Sequence, residues 1–215
     1  MIAASEKVEG SAGILFIVKN YSGDIMNFQM ASEMMTRVSE TVLINDDVAV
    51  EDSSYTTGRR GVAATVIVEK IVGSLAETGG SLKECKILGD KVNKNSGSMG
   101  VAFSSCTVPA AGKPTFKLGS DEMEFGVGIH GEPGRRRDKV QPAQEITNEL
   151  LGAIIEDLKL ENNGEILLFV NGMGGTPLTE LYLLYDNAKK TLDNKNIKIA
   201  RSLVGNYCTS LEMQG

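Results

Sequence analysis

The only histidine in the 215-residue chain, His130, lies in the stretch EMEFGVGIHGEPGRRR, which spans residues 122–137. Glycines stand close to it on both sides, and their lack of side-chain bulk allows a small molecule to approach the imidazole. Glu132 lies two residues further on, where it could accept a hydrogen bond from one ring nitrogen and fix the tautomer. An open imidazole of this kind is suited to acid–base or nucleophilic chemistry. A solvated turn histidine is the competing interpretation.

A second group of polar residues follows an apolar run at 13–20, which is typical of a buried parallel strand. Lys19 ends that strand, and Asp24 begins a helix that we predict over 25–38. Ligands in open α/β sheets gather beyond the carboxyl ends of strands, where both residues would lie. As a helix N-cap, Asp24 would contribute about 1 kcal/mol. The same carboxylate could instead act as a base, and the sequence leaves both roles open.

Two basic spots stand out in a chain of net charge −6: Arg59 with Arg60, and the three arginines at 135–137. Such residues usually form solvated surface. Beside a site they could also attract a phosphorylated partner or substrate.

Several other kinds of site are excluded. Glycines 126, 128 and 131 match G-x-G-x-x-G, but Glu-Pro-Gly follows them, where a dinucleotide-binding fold needs a helix. The chain has no phosphate-binding loop of the G-x-x-x-x-G-K-[ST] type. With one histidine and no paired cysteines, we expect no metal site. The negative charge argues against direct nucleic-acid or membrane binding, and three scattered cysteines indicate reduced thiols in the cytoplasm.

The hydrophobic pattern predicts an α/β protein. We predict strands over 13–20, 41–45, 99–103, 165–171 and 197–205, a strand with one exposed face over 122–129, and helices over 25–38, 62–75, 81–93, 142–158 and 178–193. Ser81 is the predicted N-cap of the helix over 81–93. These elements form two α/β units with mainly parallel or mixed sheets flanked by helices. We place a partial first domain over 1–95 and a second domain, which carries His130, over 96–215.

Five segments give the chain a family resemblance: IVKNYSGDIMNF, INDDVAV with TTGRRGVA, CTVPAAGKP, EMEFGVGIHGEPG and CTSLEM. With these segments in this order, the chain resembles the dihydroxyacetone-binding subunit of dihydroxyacetone kinases from one end to the other. The resemblance implies a truncated form of the two-domain fold of that family. It also implies a homodimer.

The resemblance assigns roles to three residues. His130 matches the histidine that adds to the ketone carbon of dihydroxyacetone as a hemiaminal. Asp24 matches the carboxylate that takes the proton from the attacking hydroxyl, and Lys19 matches a lysine that contacts the substrate. The chain itself is then expected to bind no cofactor. The phosphoryl group would come from ADP or ATP with Mg on a nucleotide-binding kinase subunit or domain.

Two departures from the family pattern bear on function. Members of the family carry a glycine-rich segment with a second active-site histidine before the first part seen here, and they continue beyond CTSLEM. We therefore expect flanking sequence that the 215 residues omit, and an inactive fragment without it. The family also contains regulatory coactivators that bind dihydroxyacetone without phosphorylating it. The presence of both Lys19 and Asp24 favours the kinase over this alternative.

Overall fold

The computed structural model describes residues 1–8, 10–49, 58–132 and 134–215. The chain divides into two compact units, Met1–Ser96 and Gly97–Gly215. Each unit contains a pair of parallel strands, and the second also contains an antiparallel sheet. Helices accompany the strands in both units. The predicted α/β class with mixed sheets is confirmed.

In the first unit, two parallel strands pair so that Lys19 lies opposite Ile44 at their carboxyl ends. The elements in chain order are α1 (Ile2–Val8), β1 (Ile14–Lys19), α2 (Ser22–Met34), β2 (Ser39–Ile44), α3 (Ala64–Glu77) and α4 (Leu82–Lys94). The predicted capping of α4 is confirmed, because Ser81 accepts from the Glu84 N–H while the Glu84 side chain accepts from the Ser81 N–H.

Strand β1 is covered on both faces, which explains its continuous apolar sequence. Phe16 and Val18 pack on one side with Phe28 of α2. On the other side, Leu15 and Ile17 pack against a cluster of buried residues from β2, α3 and α4, namely Val42, Ile44, Ala64, Val68, Val72 and Cys85. The carboxyl end of β1 is therefore held firmly in place.

Helix α2 differs from the prediction at both ends. It begins at Ser22, with Tyr21 as the N-cap residue in an extended conformation, and it ends at Met34. Asp24 is the third helical residue, so its prediction as the N-cap is wrong. Tyr21 is only 6% exposed, and its carbonyl accepts the Ile25 N–H at 2.9 Å. The burial of Tyr21 fixes the turn into the helix three residues earlier than the sequence pattern indicated.

The second unit contains two sheets. In chain order its elements are β3 (Val101–Ala102), β4 (Glu122–Phe125), β5 (Arg136–Lys139), α5 (Ala143–Leu158), β6 (Glu165–Asn171), α6 (Leu178–Asn194) and β7 (Lys198–Gly205). Strands β3, β4 and β5 form an antiparallel sheet, and β6 pairs with β7 in parallel. The predicted burial of β6 is only partly correct, because Leu168 is buried while Leu167 is 43% exposed.

Strand β4 lies in the centre of its sheet, and the prediction of an exposed face was wrong. Met123 and Phe125 are fully buried, and Glu124 is only 8% exposed. The Glu124 carboxylate is compensated there, since it accepts the Gly134 N–H at 2.9 Å and contacts Arg137 Nη2 at 3.0 Å. A buried carboxylate with both kinds of partner avoids most of the cost of desolvation.

Candidate functional site

His130 lies in a tight loop that leaves β4 after Phe125. The Gly131 N–H donates to the Gly128 carbonyl at 3.0 Å, and the Gly128 N–H donates to the Glu132 carbonyl at 3.2 Å. Gly131 has a φ of +77°, and a Cβ there would lie 2.3 Å from Thr115 Oγ1. Both facts require glycine at this position. The loop closes on itself and directs the His130 side chain outward, where it is 57% exposed.

The base of this loop is anchored in the core of the second unit. The buried Ser210 hydroxyl donates to the carbonyl of Ile129, the residue before His130, and the Ser210 N–H donates to the Met173 carbonyl at 2.7 Å. Val127 packs in the same cluster as Met173 and other buried residues of this unit. His130 is therefore an exposed side chain on an ordered backbone.

Glu132 contacts His130 twice. Its Oε2 accepts the His130 backbone N–H at 2.9 Å, and its Oε1 lies 3.4 Å from the ring Nδ1. The Glu132 side chain is only 3% exposed. Burial acts to raise the pKa of this carboxyl, but the His130 ring and the backbone N–H groups that face it reverse the effect, and its pKa lies below the ordinary 4.5.

This arrangement selects one form of the imidazole. Because an ionised carboxylate faces Nδ1, the tautomer with its proton on Nδ1 is favoured, and the lone pair is then on Nε2. The contact at 3.4 Å is longer than an ordinary N–H···O hydrogen bond, so it acts mainly as an electrostatic contact. The geometry suits a nucleophilic ring whose positive charge can be stabilised when a bond forms at Nε2.

The other two predicted site residues, Lys19 and Asp24, belong to the first unit. Lys19 is the last residue of β1, Asp24 lies in the first turn of α2, and both are partly exposed. Within the described ranges, neither side chain forms a hydrogen bond or an ion pair. The buried residues Asn20 and Tyr21 stand between them in the chain. The fold thus leaves an amine and a carboxylate available at the carboxyl end of a parallel strand, which is a usual place for ligands.

In the first arginine spot Arg59 is half-buried, and Arg60 is not solvated surface, which corrects the expectation for Arg60. Its side chain is fully buried, and its Nε and Nη2 lie 2.7 Å and 2.6 Å from Asp47 Oδ2. Burial raises the pKa of Asp47 above the ordinary 3.8, while the Arg60 guanidinium opposes that shift. This pair was not predicted from the sequence, although two adjacent aspartates directly after the predicted strand over 41–45 were a signal for it.

The second arginine spot is partly used within its own unit. Arg136 donates to Glu149 and to Asp138 and lies over the Phe125 ring at 4.8 Å. The hydrogen bonds to Glu149 and then to Asp138 raise the pKa of Arg136. Arg137 contacts Glu124, and Arg135 is exposed. Because Arg136 and Arg137 already contact carboxylates of their own unit, they are less suited to attract another protein.

The described ranges contain no group of three or more His, Cys, Asp and Glu side chains placed to hold a metal ion. A search of the same ranges finds no helix with the length and apolar character needed to cross a membrane.

Comparison with known proteins identifies the family. The Dak1 domain model matches residues 1–215. The dihydroxyacetone-binding subunit DhaK of PTS-dependent dihydroxyacetone kinase 1 from Listeria innocua is 49% identical over 207 residues, which cover 95% of this chain and 63% of that protein. The chain thus spans less than two thirds of the length of this relative.

Two solved structures are similar to the chain. The dihydroxyacetone kinase operon co-activator Dha-DhaQ has a TM-score of 0.91 and 30% identity, with 99% of this chain and 67% of that chain covered. The dihydroxyacetone kinase of C. freundii has a TM-score of 0.84 and 30% identity, with 99% of this chain and 39% of that chain covered. These findings confirm the resemblance seen in the sequence, and the chain belongs to the Dak1 domain family.

Proposed function

We propose that this chain is the dihydroxyacetone-binding part of a dihydroxyacetone kinase and that His130 forms a covalent hemiaminal with the substrate. One observation carries the proposal: the His130 ring is 57% exposed, while the Glu132 carboxylate beside it is 3% exposed. A ring that faces solvent and has one nitrogen against a buried carboxylate is suited to attack a small carbonyl compound. Similarity to the Listeria innocua kinase subunit supports the choice of substrate.

The proposed addition balances as follows. The lone pair on His130 Nε2 attacks the ketone carbon, and a C–N bond forms. The π electrons of the C=O bond move to oxygen, which takes a proton from solvent and becomes a hydroxyl. The ring of the adduct carries a positive charge as long as Nδ1 keeps its proton, and the Glu132 carboxylate, 3.4 Å away, stabilises that charge.

Covalent addition also explains how the site would choose its substrate. Glycerol has the terminal hydroxyls of dihydroxyacetone but no electrophilic carbon, so it cannot form the adduct. Hydrogen bonds alone would discriminate poorly between such similar polyols. We therefore expect binding that requires a carbonyl group.

Asp24 is the proposed base that takes the proton from the terminal hydroxyl as it attacks the phosphoryl group, and Lys19 is proposed to contact the bound substrate. These two roles are supported by the finding that neither side chain forms a hydrogen bond or an ion pair with a described residue. The phosphoryl group would come from ATP with Mg, or from ADP with Mg once a phosphotransferase protein has recharged it, on a nucleotide-binding kinase subunit or domain. In such a transfer, positioning and charge stabilisation supply most of the catalysis.

We further propose that the protein acts as a homodimer in the cytoplasm, on the strength of the family resemblance. Sedimentation of the full-length protein measures the first property, and cell fractionation measures the second. A monomeric sedimentation coefficient at micromolar concentration would contradict the dimer.

A dihydroxyacetone-sensing coactivator without kinase activity is the second candidate. The co-activator Dha-DhaQ supports it with a TM-score of 0.91, but at 30% identity. The kinase subunit of Listeria innocua reaches 49% identity, which favours the kinase. Adding a nucleotide-binding kinase subunit and its phosphoryl donor to the full-length protein separates the two. Formation of dihydroxyacetone phosphate supports the kinase, and binding without turnover supports the coactivator.

Carbon NMR of full-length protein with dihydroxyacetone labelled at C2 tests the covalent step. We expect the ketone signal to be replaced by that of a tetrahedral carbon in the wild type and to persist with His130→Ala. Glycerol labelled at C2 is the matched control and is expected to remain unbound. Tight binding of dihydroxyacetone by His130→Ala, with glycerol still excluded, would contradict the assignment.

A further inference from the structure

The carboxyl ends of β1 and β2 are crossed by a short piece of backbone, residues 58–61, which we call the return segment. Asn20 Nδ2 donates to the carbonyl of Arg59 at 2.7 Å, and the Asp47 N–H donates to the carbonyl of Arg60 at 3.1 Å. The segment is thereby joined to the residue after β1 and to a residue just beyond β2.

The return segment also lies directly against Lys19. A Cβ placed on Gly61 would lie 2.8 Å from Lys19 Cα, 2.8 Å from Asn20 N and 2.3 Å from the Ile44 carbonyl oxygen. Separations this short leave no room for a side chain, so the backbone of Gly61 packs against the backbone of Lys19. Any shift of the return segment therefore changes the packing around Lys19, the residue proposed to contact the substrate.

A buried ion pair holds the return segment in this position. Arg60 is fully buried and places Nε and Nη2 within 2.7 Å and 2.6 Å of Asp47 Oδ2. The second oxygen of Asp47 accepts the Ala49 N–H at 2.9 Å. Because two N–H groups of Arg60 contact the Asp47 carboxylate, the pair fixes the orientation of the guanidinium as well as its distance from the carboxylate.

The neighbouring Asp46 fixes the other end of this connection. It is 1% exposed and accepts the N–H groups of Val62 and Ala64 at 2.7 Å and 3.0 Å. Those groups lie at the start of α3, where backbone donors lack partners within the helix. The two aspartates after β2 therefore hold consecutive parts of the chain, with Asp46 on the helix start and Asp47 on the return segment.

We propose that the Asp47–Arg60 pair is a positioning device that presses the return segment against the end of β1 and so sets the position of Lys19 toward the substrate. Asp47 and Arg60 are positioning residues, since neither needs to touch the substrate. The substrate contact of Lys19 rests on the proposed function, but the placement of Lys19 by the pair does not.

The test uses the full-length protein with the double variant Asp47→Asn/Arg60→Met, which removes both buried charges and keeps similar volumes. The matched control is Lys86→Met/Asp90→Asn, which removes an exposed ion pair on α4 of the same unit. Arg60→Lys serves as a milder variant that keeps the charge and loses the double contact. Unchanged circular dichroism identifies the variants that remain folded.

Two readouts do not depend on substrate. We expect the backbone amide of residue 47, which donates to the Arg60 carbonyl, to exchange hydrogen about tenfold faster or more in the double variant, after correction for the intrinsic rate of asparagine, because the return segment opens locally. We also expect the acylation rate of the Lys19 amine, followed by mass spectrometry, to change, whereas the control pair leaves both readouts at wild-type values. Unchanged exchange and acylation in a folded double variant overturn the proposal.

The third readout is KM for dihydroxyacetone, measured in wild-type and Lys19→Ala backgrounds. If the pair acts through Lys19, the double variant raises KM in the wild-type background by about tenfold and has little further effect with Lys19→Ala. Equal effects in both backgrounds overturn the proposal. If exchange and acylation change as expected but the wild type neither binds nor phosphorylates dihydroxyacetone, the proposed function fails while the positioning of Lys19 is supported.

Discussion

Replacing Glu132 with glutamine removes the negative charge beside the His130 ring with little change in shape. Glutamine can still accept the His130 backbone N–H that Glu132 now accepts at 2.9 Å. The loop is therefore expected to keep its conformation. What is lost is the attraction between the carboxylate and the positive charge that the ring carries once a bond to the substrate has formed at Nε2.

The distance between Glu132 Oε1 and His130 Nδ1, 3.4 Å, sets the size of the effect. Two unit charges at that separation interact by about 1 kcal/mol in water and by roughly 5 kcal/mol at an effective dielectric constant of about 20. Because the ring is 57% exposed, solvent screening places the loss near the low end, at about 1–2 kcal/mol. This corresponds to roughly 5- to 30-fold weaker binding of dihydroxyacetone.

Calorimetric titration of the full-length protein with dihydroxyacetone near pH 7 measures this loss. Glu124→Gln is the matched control, since Glu124 is also a buried glutamate that accepts a backbone N–H, from Gly134 at 2.9 Å, but its other partner is Arg137. We expect weaker binding for Glu132→Gln only. Equal affinities for wild type and Glu132→Gln would refute the proposed electrostatic role, and equal losses in both variants would indicate a general effect on the fold.

The same substitution has a consequence for stability. The folded pKa of Glu132 lies below its ordinary value of 4.5, so the carboxylate binds fewer protons in the folded state than in the unfolded state. Its contribution to stability is present above pH 4.5 and is lost as the pH falls through the folded pKa. The difference in unfolding free energy between wild type and Glu132→Gln should therefore shrink below about pH 4.5. A difference that stays constant across this range would contradict the pKa direction.

Two further predictions concern the first unit. Asp24→Asn should lower turnover of the complete kinase by about 10²-fold or more, as expected for loss of a general base. Asp24→Asn should change the unfolding free energy by less than about 1 kcal/mol, because Asp24 does not cap α2. Glu33→Gln on the same helix is the control. If Asp24→Asn turns over substrate as fast as the wild type, Asp24 is not the base. Arg60→Met alone should destabilise the protein by about 3–5 kcal/mol, because it leaves the Asp47 charge buried without its partner. The double variant Asp47→Asn/Arg60→Met should be less destabilised in chemical denaturation, and the reverse order would show that the charges of the pair are not the source of the loss.

The apolar segments were predictable because their patterns reflect burial. The run at 13–20 became β1, which is buried on both faces, and the periodic stretch at 142–158 became α5. Strand β5 was missed because its sequence, RRDK, has no apolar pattern. Its residues pair with those of β4 through the backbone ladder and through ion pairs, including Arg137 with Glu124. Partners of this kind are far apart in the chain and cannot be read from local sequence.

The surroundings of the candidate site residues were predictable to different degrees. The glycines around His130 pointed to an exposed ring, and the side chain is indeed exposed. The spacing of Glu132 correctly suggested a carboxylate near a ring nitrogen, although not its contact with the His130 backbone. Arg60 was misjudged because an arginine next to glycines usually lies in solvent, and its burial depends on Asp47, thirteen residues away across the strand ends.

The charged residues at the carboxyl ends of β1 and β2 fall into two groups: those that are buried with hydrogen-bond or ion-pair partners, and those without such partners among the described residues. Asp46 holds the start of α3, and Asp47 and Arg60 hold each other, all three with their charges buried. Lys19 and Asp24 stand at the same strand ends without a hydrogen bond or ion pair among the described residues. Both side chains are partly exposed, so the described part of the fold neither buries their charges nor pairs them. We propose these two groups for contact with a ligand, so the substitutions at Lys19 and Asp24 should affect catalysis, while those at Asp46 should affect folding.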